Sequence, residues 1–459
     1  MSFDERSGIQ KVSYQLTQGK EIELSLVGAL TSSAHFQDPG SEAERLAIFA
    51  ALEGADKLWA GHTGAWQDLW RSDVIIKGDA DAQRAVRFAL YNLYASAQLG
   101  GAYGMAPMGL SSLEYYGHTF WDSELWMLPP LMLLQPELAK SALEYRFKYL
   151  HAAKNNALVH GYKGAMFPWE SDDRGQESTP AWALSGAFEH HISAVVGLAF
   201  WNYYLVTQDS EWLEKRAYPV LKEVADFWVS RATSAEDGGY DILNVMGADE
   251  YAQNVDNNAF TNGAAISVLH AAQQAAKKLN VKPTVTWKRV ADGLRLETVG
   301  DGVTGEYRGY DGRMVKQADV NLLAYPLNVI TDQDQVRKDL EYYAPRFDEV
   351  HGPAMTNAIL SVLASQLGDA EKAWKFFEKA YKPKERPPFG ALAEATSLNN
   401  PYFVTGAGGM LQAVLNGFVG LRVTGKGVVQ TDALLPPHWE NVTVTGVGPD
   451  QRTYSVNQE

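Results

Sequence analysis

The stretch AYPVLKEVADFW, residues 217–228, places Ala217, Leu221, Val224 and Trp228 on one face of a helix. Apolar residues that recur every three or four positions are typical of a helix that packs against a core. The same period recurs in three further stripes, formed by Val86, Leu90, Leu93 and Ala97, by Ala265, Leu269, Ala272 and Ala276, and by Met410, Leu411, Val414 and Phe418. The middle of the chain is therefore predicted to be mainly helical.

Long loops rich in glycine and aromatic residues separate these predicted helices. They span residues 101–119, 160–182, 234–258, 300–320 and 383–405, and they contain nearly every unusual polar cluster. Long connections without secondary structure are uncommon in compact domains and are usually functional. Alternating helices and loops of similar length favour a toroid of helix pairs, with a site where the loops converge.

The two ends of the chain have a different pattern. Alternating apolar residues on either side of Gly19 predict a β-hairpin over residues 11–28, although an isolated hairpin is marginal in water. Residues 41–70 have the composition of a helical linker. After Arg422 the alternation of Val442 and Val444 predicts strands again. Short β segments are thus expected to bracket the helical middle.

Composition excludes several classes of function. The chain has 459 residues, 0 cysteines and a formal net charge of -15. Without cysteine there is no disulfide scaffold, thiol nucleophile or thiolate zinc site. An acidic surface repels phosphate backbones, so nucleic acid is not an expected partner. No apolar stretch is long enough to span a membrane. Residues 1–20 lack a signal peptide's apolar core, which favours the cytoplasm while leaving the compartment open.

Two clusters pair a tryptophan with a carboxylate. Trp121-Asp122 lies in the segment 118–124, and Trp169-Glu170 ends the segment 161–170. An indole ring can stack on a sugar ring while the carboxylate accepts hydrogen bonds from sugar hydroxyls. Each cluster also has a simpler interpretation, because acidic residues favour helix starts and an ordered loop can present a solvated glutamate.

Three further clusters carry polar side chains that could perform catalysis or bind sugar. Glu250 follows Asp249 and precedes an Asn-rich run that could equally cap a helix near Asn258. Adjacent carboxylates can differ in role when burial raises the pKa of one of them. Lys316-Gln317 can reach hydroxyl groups, although a surface salt bridge explains the lysine as well. The last candidate is Glu394, ahead of the glycine-rich helix start 405–409.

No cofactor or metal site is expected. His190-His191 does not form a metal motif, because adjacent positions face different sides of a helix; we expect one ring in the core or lining the site and the other exposed. The glycines of residues 405–409 lack the lysine and hydroxyl residue of a nucleotide loop. Close packing at a helix entry explains these glycines better.

The clusters, in this order, resemble glycoside hydrolase family 65 from about Gln83 to Arg422. The most specific blocks are residues 117–124, 164–170, 249–251 with 257–258, and 316–320. The resemblance implies a mainly α fold, an (α/α)6 barrel at 79–422. It would be preceded by a remnant of an N-terminal β-sandwich (1–38) and a helical linker (39–78), and followed by a small C-terminal β segment (423–459). It also raises the possibility of a missing sandwich domain or chain and of a homo-oligomer.

The resemblance also implies roles for single residues. Glu250 would be the general acid and Glu394 the general base of an inverting hydrolysis. Trp121, Asp122, Lys316 and Gln317 would hold the non-reducing glucose, and Trp169 and Glu170 would line the same pocket. The implied substrate is a small carbohydrate with an α-glucosidic bond, kojibiose-like or glucosylgalactosyl-hydroxylysine-like, and the product is β-glucose.

Two alternatives stay open at this point. Family members that use phosphate have serine- and histidine-rich loops late in the barrel. This chain has His351-Gly352-Pro353-Ala354-Met355 and Phe403-Val404-Thr405-Gly406 there, together with Glu394, so hydrolysis is favoured over phosphorolysis. The other alternative is a sugar-binding barrel without catalysis, against which the presence of both carboxylates argues.

Overall fold

The computed structural model describes residues 2–4, 9–11, 13–100, 103–110, 114–431 and 433–458. The chain divides into two compact units, Met1–Asp68 and Leu69–Glu459. No helix in these described ranges combines the length and apolar character needed to cross a membrane.

The first unit contains a short strand pair and two helices. Strand β1 (Ser2–Asp4) pairs antiparallel with β2 (Ile9–Lys11), and helices α1 (Pro39–Glu53) and α2 (Ala55–Leu69) follow. The Asp38 side chain caps α1 by accepting a 3.1 Å hydrogen bond from the Ser41 amide.

The predicted hairpin over residues 11–28 is wrong. A turn forms at Gly19, with a φ of 81°, but residues 13–38 contain no strand. Leu16 and Leu26 are 74% and 90% exposed, so these apolar side chains are not packed into a core. Because a lone hairpin buries too little surface to be stable, alternation alone did not suffice to form strands.

The second unit begins with a strand where the helical linker 39–78 was expected to continue. Residues Val74–Lys77 form β3, which pairs antiparallel with β12 (Asn441–Val447), with Val74 opposite Val444 and Ile76 opposite Val442. The β-branched run around Ile75 favours a strand, and its alternate side chains are buried. Strand β13 (Arg452–Asn457) completes a sheet of order β13-β12-β3.

Helices make up most of the second unit. They are α3 (Ala80–Ser96), α4 (Leu128–Leu134), α5 (Pro136–Lys148), α6 (Leu150–Val159), α7 (Ser185–Phe188), α8 (His191–Thr207), α9 (Ser210–Trp212), α10 (Tyr218–Arg231), α11 (Ala259–Lys278), α12 (Val285–Gly293), α13 (Gln333–Tyr343), α14 (Met355–Gln366), α15 (Ala370–Tyr381) and α16 (Val404–Gln412). Wider π-type turns at Ser123–Met127, Leu213–Ala217 and Ala413–Phe418 adjoin α4, α9 and α16. Short 3-10 turns occur at Glu114–Gly117, Val320–Leu323, Ala344–Arg346 and Lys382–Lys384.

Six helical segments form a closed inner ring. In order they are 123–134, α8, α11, the turn Val320–Leu323, α14 and α16, and each contacts the next, with α16 returning to 123–127. Helices α3, α5, α10, α12, α13 and α15 pack outside this ring. The sequence explains the division, since α8 is apolar all round and almost wholly buried, whereas α15 buries one stripe. The predicted (α/α)6 barrel is therefore confirmed.

Short strand pairs lie in the loops that lead into the inner ring. They are β4 (Thr233–Ser234) with β5 (Tyr240–Asp241), β6 (Thr298–Val299) with β7 (Val303–Thr304), and β8 (Glu385–Arg386) with β9 (Ala391–Leu392). A further pair, β10 (Leu421–Thr424) and β11 (Gly427–Gln430), follows the last inner helix. Because the chain alternates between the rings, the loops that precede inner segments collect at one rim of the barrel.

Candidate active site

Hydrogen bonds tie these loops to one another around the rim. They are Thr119 N to Ser171 O (2.9 Å), Met246 N to Phe188 O (3.0 Å), Ala248 N to Asp319 Oδ2 (3.0 Å), Ala318 N to Thr356 Oγ1 (3.2 Å), Ala354 N to Glu394 O (2.8 Å) and Thr405 Oγ1 to Asp122 Oδ1 (2.6 Å). The predicted catalytic and sugar-binding residues lie on these loops or directly beside these contacts.

Glu250 lies on the loop before α11, where one carboxylate oxygen meets a lysine. Lys316 Nζ lies 2.9 Å from Glu250 Oε2, and Gln317 Nε2 lies 3.4 Å from Oε1. About a third of the Glu250 side chain, 35%, is exposed, so it can meet a ligand. Burial acts to lower the pKa of Lys316, but Glu250 and Glu394 outweigh it and raise that pKa. The lysine therefore stays charged beside both carboxylates.

Gln317 is held more firmly than Lys316. Its Nε2 donates a 2.7 Å hydrogen bond to the Ala248 carbonyl, and its buried Oε1 accepts no hydrogen bond from the residues that the structure describes. A buried carbonyl oxygen without a donor is uncommon, so this oxygen is suited to accept a hydrogen bond from a ligand hydroxyl.

Glu394 lies on the loop before α16, largely buried. Tyr115 Oη donates to its Oε2 at 2.7 Å, and Asn400 Nδ2 donates to the same oxygen at 3.2 Å. Burial raises the pKa of Glu394, and the negative charge of Glu250 raises it further, whereas these two donors and Lys316 oppose the rise. Glu250 is thus close enough to Glu394 for its charge to act on that carboxyl.

Asp122 begins the inner segment 123–134 and is buried. It accepts a 2.6 Å hydrogen bond from Thr405 Oγ1. Burial raises the pKa of Asp122 to about 7, and the charges of Glu394 and Glu250 also raise it. The side chains of Asp122, Glu250 and Glu394 are therefore close enough for the charges of the two glutamates to act on Asp122.

The tryptophans of both Trp-carboxylate pairs lie in a closed aromatic cluster. Trp121 contacts His191 at 5.0 Å and Phe260 at 5.5 Å between ring centroids, and Trp169 contacts His191 at 5.5 Å. Trp121 and Trp169 are only 2% and 6% exposed. Most of the surface of both indole rings is thus in contact with neighbouring residues. These contacts hold the adjoining carboxylates in place.

Glu170 is buried beside an imidazole. Its Oε2 lies 2.9 Å from His118 Nδ1, and burial raises the pKa of this carboxyl, an effect that His118 opposes. Glu177 holds the backbone here, because its carboxylate accepts hydrogen bonds from the Trp169 amide (2.8 Å) and the Glu170 amide (3.3 Å).

Both adjacent histidines are buried, so the expectation that one of them is exposed was wrong. His190 precedes α8 and therefore does not follow the facing rule for positions within a helix. Arg231 Nε donates to its Nδ1 at 3.0 Å, and its Nε2 lies 3.0 Å from the Ala187 carbonyl. Burial lowers the pKa of both rings to about 3, so both are neutral. In the described part of the chain, no three His, Cys, Asp or Glu side chains are grouped to hold a metal.

Two residues of the site were missed in the sequence. Tyr115 and Asn400 hold Glu394, but nothing in the sequence around either residue distinguishes it from neighbouring loop residues. Tyr115 also has a left-handed backbone, with φ of 56°, which a non-glycine residue adopts only where the surroundings enforce it. Tyr115 and Glu394 are 279 positions apart in the sequence, so only folding brings them into contact.

A family model for the central catalytic domain of glycosyl hydrolase family 65 matches residues 87–311 and 305–384. A kojibiose hydrolase from Mucilaginibacter mallensis is 51% identical over 99% of this chain and 67% of its own length. A protein-glucosylgalactosylhydroxylysine glucosidase from Dictyostelium discoideum is 37% identical over 80% of this chain and 53% of its own length. This chain thus spans between about half and two thirds of these relatives.

A solved structure described as a kojibiose phosphorylase from the human microbiome has the same fold. It superposes with a TM-score of 0.78 at 19% identity, over 91% of this chain and 67% of that one. At this identity the likeness concerns the architecture alone. The sequence matches, in contrast, confirm the resemblance inferred from the motif blocks.

Proposed function

We propose that this chain, which belongs to glycosyl hydrolase family 65, hydrolyses an α-glucosidic bond with inversion, with Glu250 as general acid and Glu394 as general base. One observation carries the proposal. Two carboxylates from different loops lie within electrostatic reach of each other, and each is held by its own set of donors. Such a pair, one carboxyl donating a proton and one activating water, is what an inverting glycosidase requires.

The proposed chemistry follows from the surroundings of each carboxyl. Glu250, which must first take up a proton from solvent, donates that proton to the glycosidic oxygen as the bond to the anomeric carbon breaks. Glu394, oriented by Tyr115 and Asn400, removes a proton from the water that attacks the opposite face of the sugar. The product is β-glucose, and we expect the two carboxyl groups to lie roughly 6.5–9.5 Å apart with substrate bound.

The proposed glucose pocket is formed by polar groups around these two acids. Asp122, Glu170, Lys316 and the unpartnered oxygen of Gln317 are proposed to bind sugar hydroxyls, with the indoles of Trp121 and Trp169 behind them. When a sugar hydroxyl accepts from Lys316, the ammonium is drawn away from Glu250 Oε2. That oxygen can then be protonated and can donate its proton to the glycosidic oxygen.

The proposed substrate is an α-linked glucose on a small sugar, kojibiose-like or glucosylgalactosyl-hydroxylysine-like. The names of the relatives support this class, since one is a kojibiose hydrolase and another acts on a glucosylgalactosyl unit. Hydrolysis is proposed over phosphorolysis because Glu394, the proposed base, adds negative charge on the side from which a phosphate ion would have to attack.

A disaccharide panel followed by NMR tests the reaction directly. The panel contains kojibiose, nigerose, maltose, trehalose and glucosyl-galactose, each with and without phosphate. We expect β-glucose to appear first, with no requirement for phosphate. Release of α-glucose would exclude inversion, and strict dependence on phosphate would identify a phosphorylase instead.

Variants of the two acids test the assigned roles. General acid–base catalysis typically contributes about 10²–10⁴-fold, so Glu250→Gln and Glu394→Gln should each lower kcat by that order. With α-glucosyl fluoride, whose leaving group needs no proton, Glu250→Gln should recover most activity and Glu394→Gln should not. Glu349→Gln, a change at an exposed acid paired with Lys379, is the matched control and should keep wild-type rates. Equal behaviour of the two acid variants on the fluoride would contradict the assignment.

A further inference from the structure

A buried carboxyl behind the proposed acid has no role in the chemistry above. Glu306 follows β7, and its side chain is fully buried. Neither of its oxygens accepts a hydrogen bond, and no Lys, Arg or His of the described residues lies within ion-pair distance of it. An ionised carboxylate in such a place would be strongly destabilised, because it would lose its hydration without gaining a partner. The surroundings therefore favour a neutral acid.

The two acids beside Glu306 are, in contrast, supplied with donors. Asp319 accepts hydrogen bonds from Ala248 N (3.0 Å), Asn258 Nδ2 (2.9 Å) and Phe260 N (3.1 Å). Asp249 Oδ1 accepts from Lys316 N (2.8 Å) and Tyr251 N (3.1 Å). Amide donors stabilise the charged form of a carboxyl, so the proton of this cluster belongs on Glu306.

The direction in which the pKa of Glu306 is shifted agrees with a proton on this residue. Burial, together with the charges of Asp319 and Asp249, raises the pKa of Glu306 to about 11. The carboxyls of Glu306 and Asp249 lie within hydrogen-bonding range of each other. Two carboxylates cannot hydrogen-bond, whereas a carboxylic acid can donate to a carboxylate. A protonated Glu306 can therefore donate a hydrogen bond to Asp249, and this bond gives the Glu306 side chain the partner that it otherwise lacks.

We infer that Glu306 is a positioning residue: as a neutral acid it donates its O–H to Asp249 and thereby fixes the loops that carry Glu250 and Lys316. This inference rests on the proposed function, because it concerns the geometry of that acid. Asp249 precedes Glu250 in the chain and binds the backbone amide of Lys316, whose ammonium meets Glu250. One proton at Glu306 therefore supports both partners of the Glu250–Lys316 pair.

The backbone of Glu306 ties the same cluster to the inner ring. Its carbonyl accepts from Ala259 N (2.7 Å) and Asn258 Nδ2 (3.2 Å) at the start of α11. A substitution of the side chain leaves these backbone contacts in place. Side-chain variants at this position therefore test the donor rather than the connection to the helix.

Two variants separate the donor from the volume of the side chain. Glu306→Gln retains an N–H donor for Asp249, so its kcat should stay within about threefold of wild type. Glu306→Met has similar length and no donor, so kcat on the best disaccharide should fall about 10- to 100-fold while KM changes little. Because Asp249 loses a donor to its charged form, the acidic limb of the kcat profile should move to higher pH in Glu306→Met and not in Glu306→Gln.

A control distinguishes positioning from loss of stability. Asp73→Leu replaces another buried acid, which binds the Val74 amide and Arg87 away from the site, and it should lower Tm without changing kcat. Wild-type kcat in Glu306→Met, or equal losses in both Glu306 variants, would overturn the inference.

An infrared measurement tests the proton itself, whether or not the protein proves to be a hydrolase. At pH 8 the wild-type protein should show a carbonyl band of a protonated carboxylic acid that is reduced in Glu306→Gln and kept in Asp73→Leu. If Glu306→Gln removes no such band, Glu306 is ionised and the inference fails. Inactivity of the wild-type protein on the disaccharide panel would instead refute the proposed function alone.

Discussion

Single residues in this protein acquire their chemistry from partners that lie far away in sequence. Glu394 is an ordinary loop glutamate until Tyr115 and Asn400 orient one of its oxygens. Asp122 is an ordinary helix-start residue until burial raises its pKa to about 7. The same residue types occur elsewhere on this chain in exposed salt bridges, where they carry no special reactivity.

Removal of one hydroxyl tests the orientation of the proposed base. In Tyr115→Phe, Glu394 loses a donor that lowers its pKa, so that pKa should rise. A base acts as a carboxylate, hence activity should be lost at low pH first. A hydrogen bond to a charged group is worth about 1.5–3 kcal/mol, so the acidic limb of kcat/KM should move up by about one pH unit or more.

The neighbouring tyrosine provides the control for this measurement. Tyr116 is largely exposed, and Tyr116→Phe should leave the pH profile of kcat/KM unchanged. A profile of Tyr115→Phe that coincides with that of Tyr116→Phe would mean that the hydroxyl does not act on Glu394.

At the scale of elements, the inner helices determine how closely the loops approach one another. Helix α16 packs against the segment 123–127, and this contact brings Thr405 to Asp122. Gly408 makes the approach possible, because a Cβ there would overlap the carbonyl oxygen of Trp126 and lie 3.0 Å from Met127 Cα. The glycine-rich helix start is thus explained by packing, as the sequence predicted.

Gly408→Ala should therefore destabilise the barrel strongly. The clash is with backbone, which cannot move without displacing the segment 123–127, and overpacking typically costs about 1–3 kcal/mol. Because the new Cβ would overlap the backbone oxygen of Trp126, we expect a cost in the upper part of this range, above the roughly 1 kcal/mol that alanine gains over glycine within a helix. Urea unfolding should show a lower midpoint. Gly417→Ala is the matched change in the adjoining π-type turn, where the nearest atom lies at 3.4 Å, and it should not lower the midpoint.

At the scale of the whole molecule, many carboxyls of the second unit are buried around the barrel rim. Burial raises the pKa of Asp122 and Asp319 to about 7, and that of Glu189 well above its usual value. In the unfolded chain these groups titrate near pH 4. Although the buried, neutral His190 and His191 act in the opposite sense below about pH 6.5, these carboxyls therefore bind more protons in the folded protein than in the unfolded chain between about pH 4 and 7. Their contribution to stability is thus greatest below this window and is lost as the pH rises through it.

The protein should consequently unfold at a higher temperature at pH 5 than at pH 8. Asp122→Asn keeps the acceptor for Thr405 and removes the titration, so it should reduce this difference in Tm by a few degrees. Asp311→Asn, at an exposed acid whose pKa Arg313 holds at about 2, should not. A Tm that rises from pH 5 to pH 8 in the wild-type protein would contradict the expectation.

The sequence by itself determined the period of the helices, the segments that serve as loops and the residues that are proposed to carry chemistry. Apolar stripes such as Leu221, Val224 and Trp228 indicate which side of a helix packs against the core, and these residues are buried in the structure. The motif blocks likewise identified the family before any contact was known. These properties are local, since each can be read within a few turns of chain.

Only the tertiary structure decided which loop residues meet and which alternating segments become strands. The run around Ile76 is a strand because β12 lies beside it, whereas residues 13–28 have equal alternation and no partner. Closure of the inner ring likewise brings Tyr115 to Glu394 and buries Glu306 between Asp249 and Asp319. Loop sequences have no periodic pattern from which their spatial neighbours could be predicted. Their contacts form only when the ring of inner helices closes.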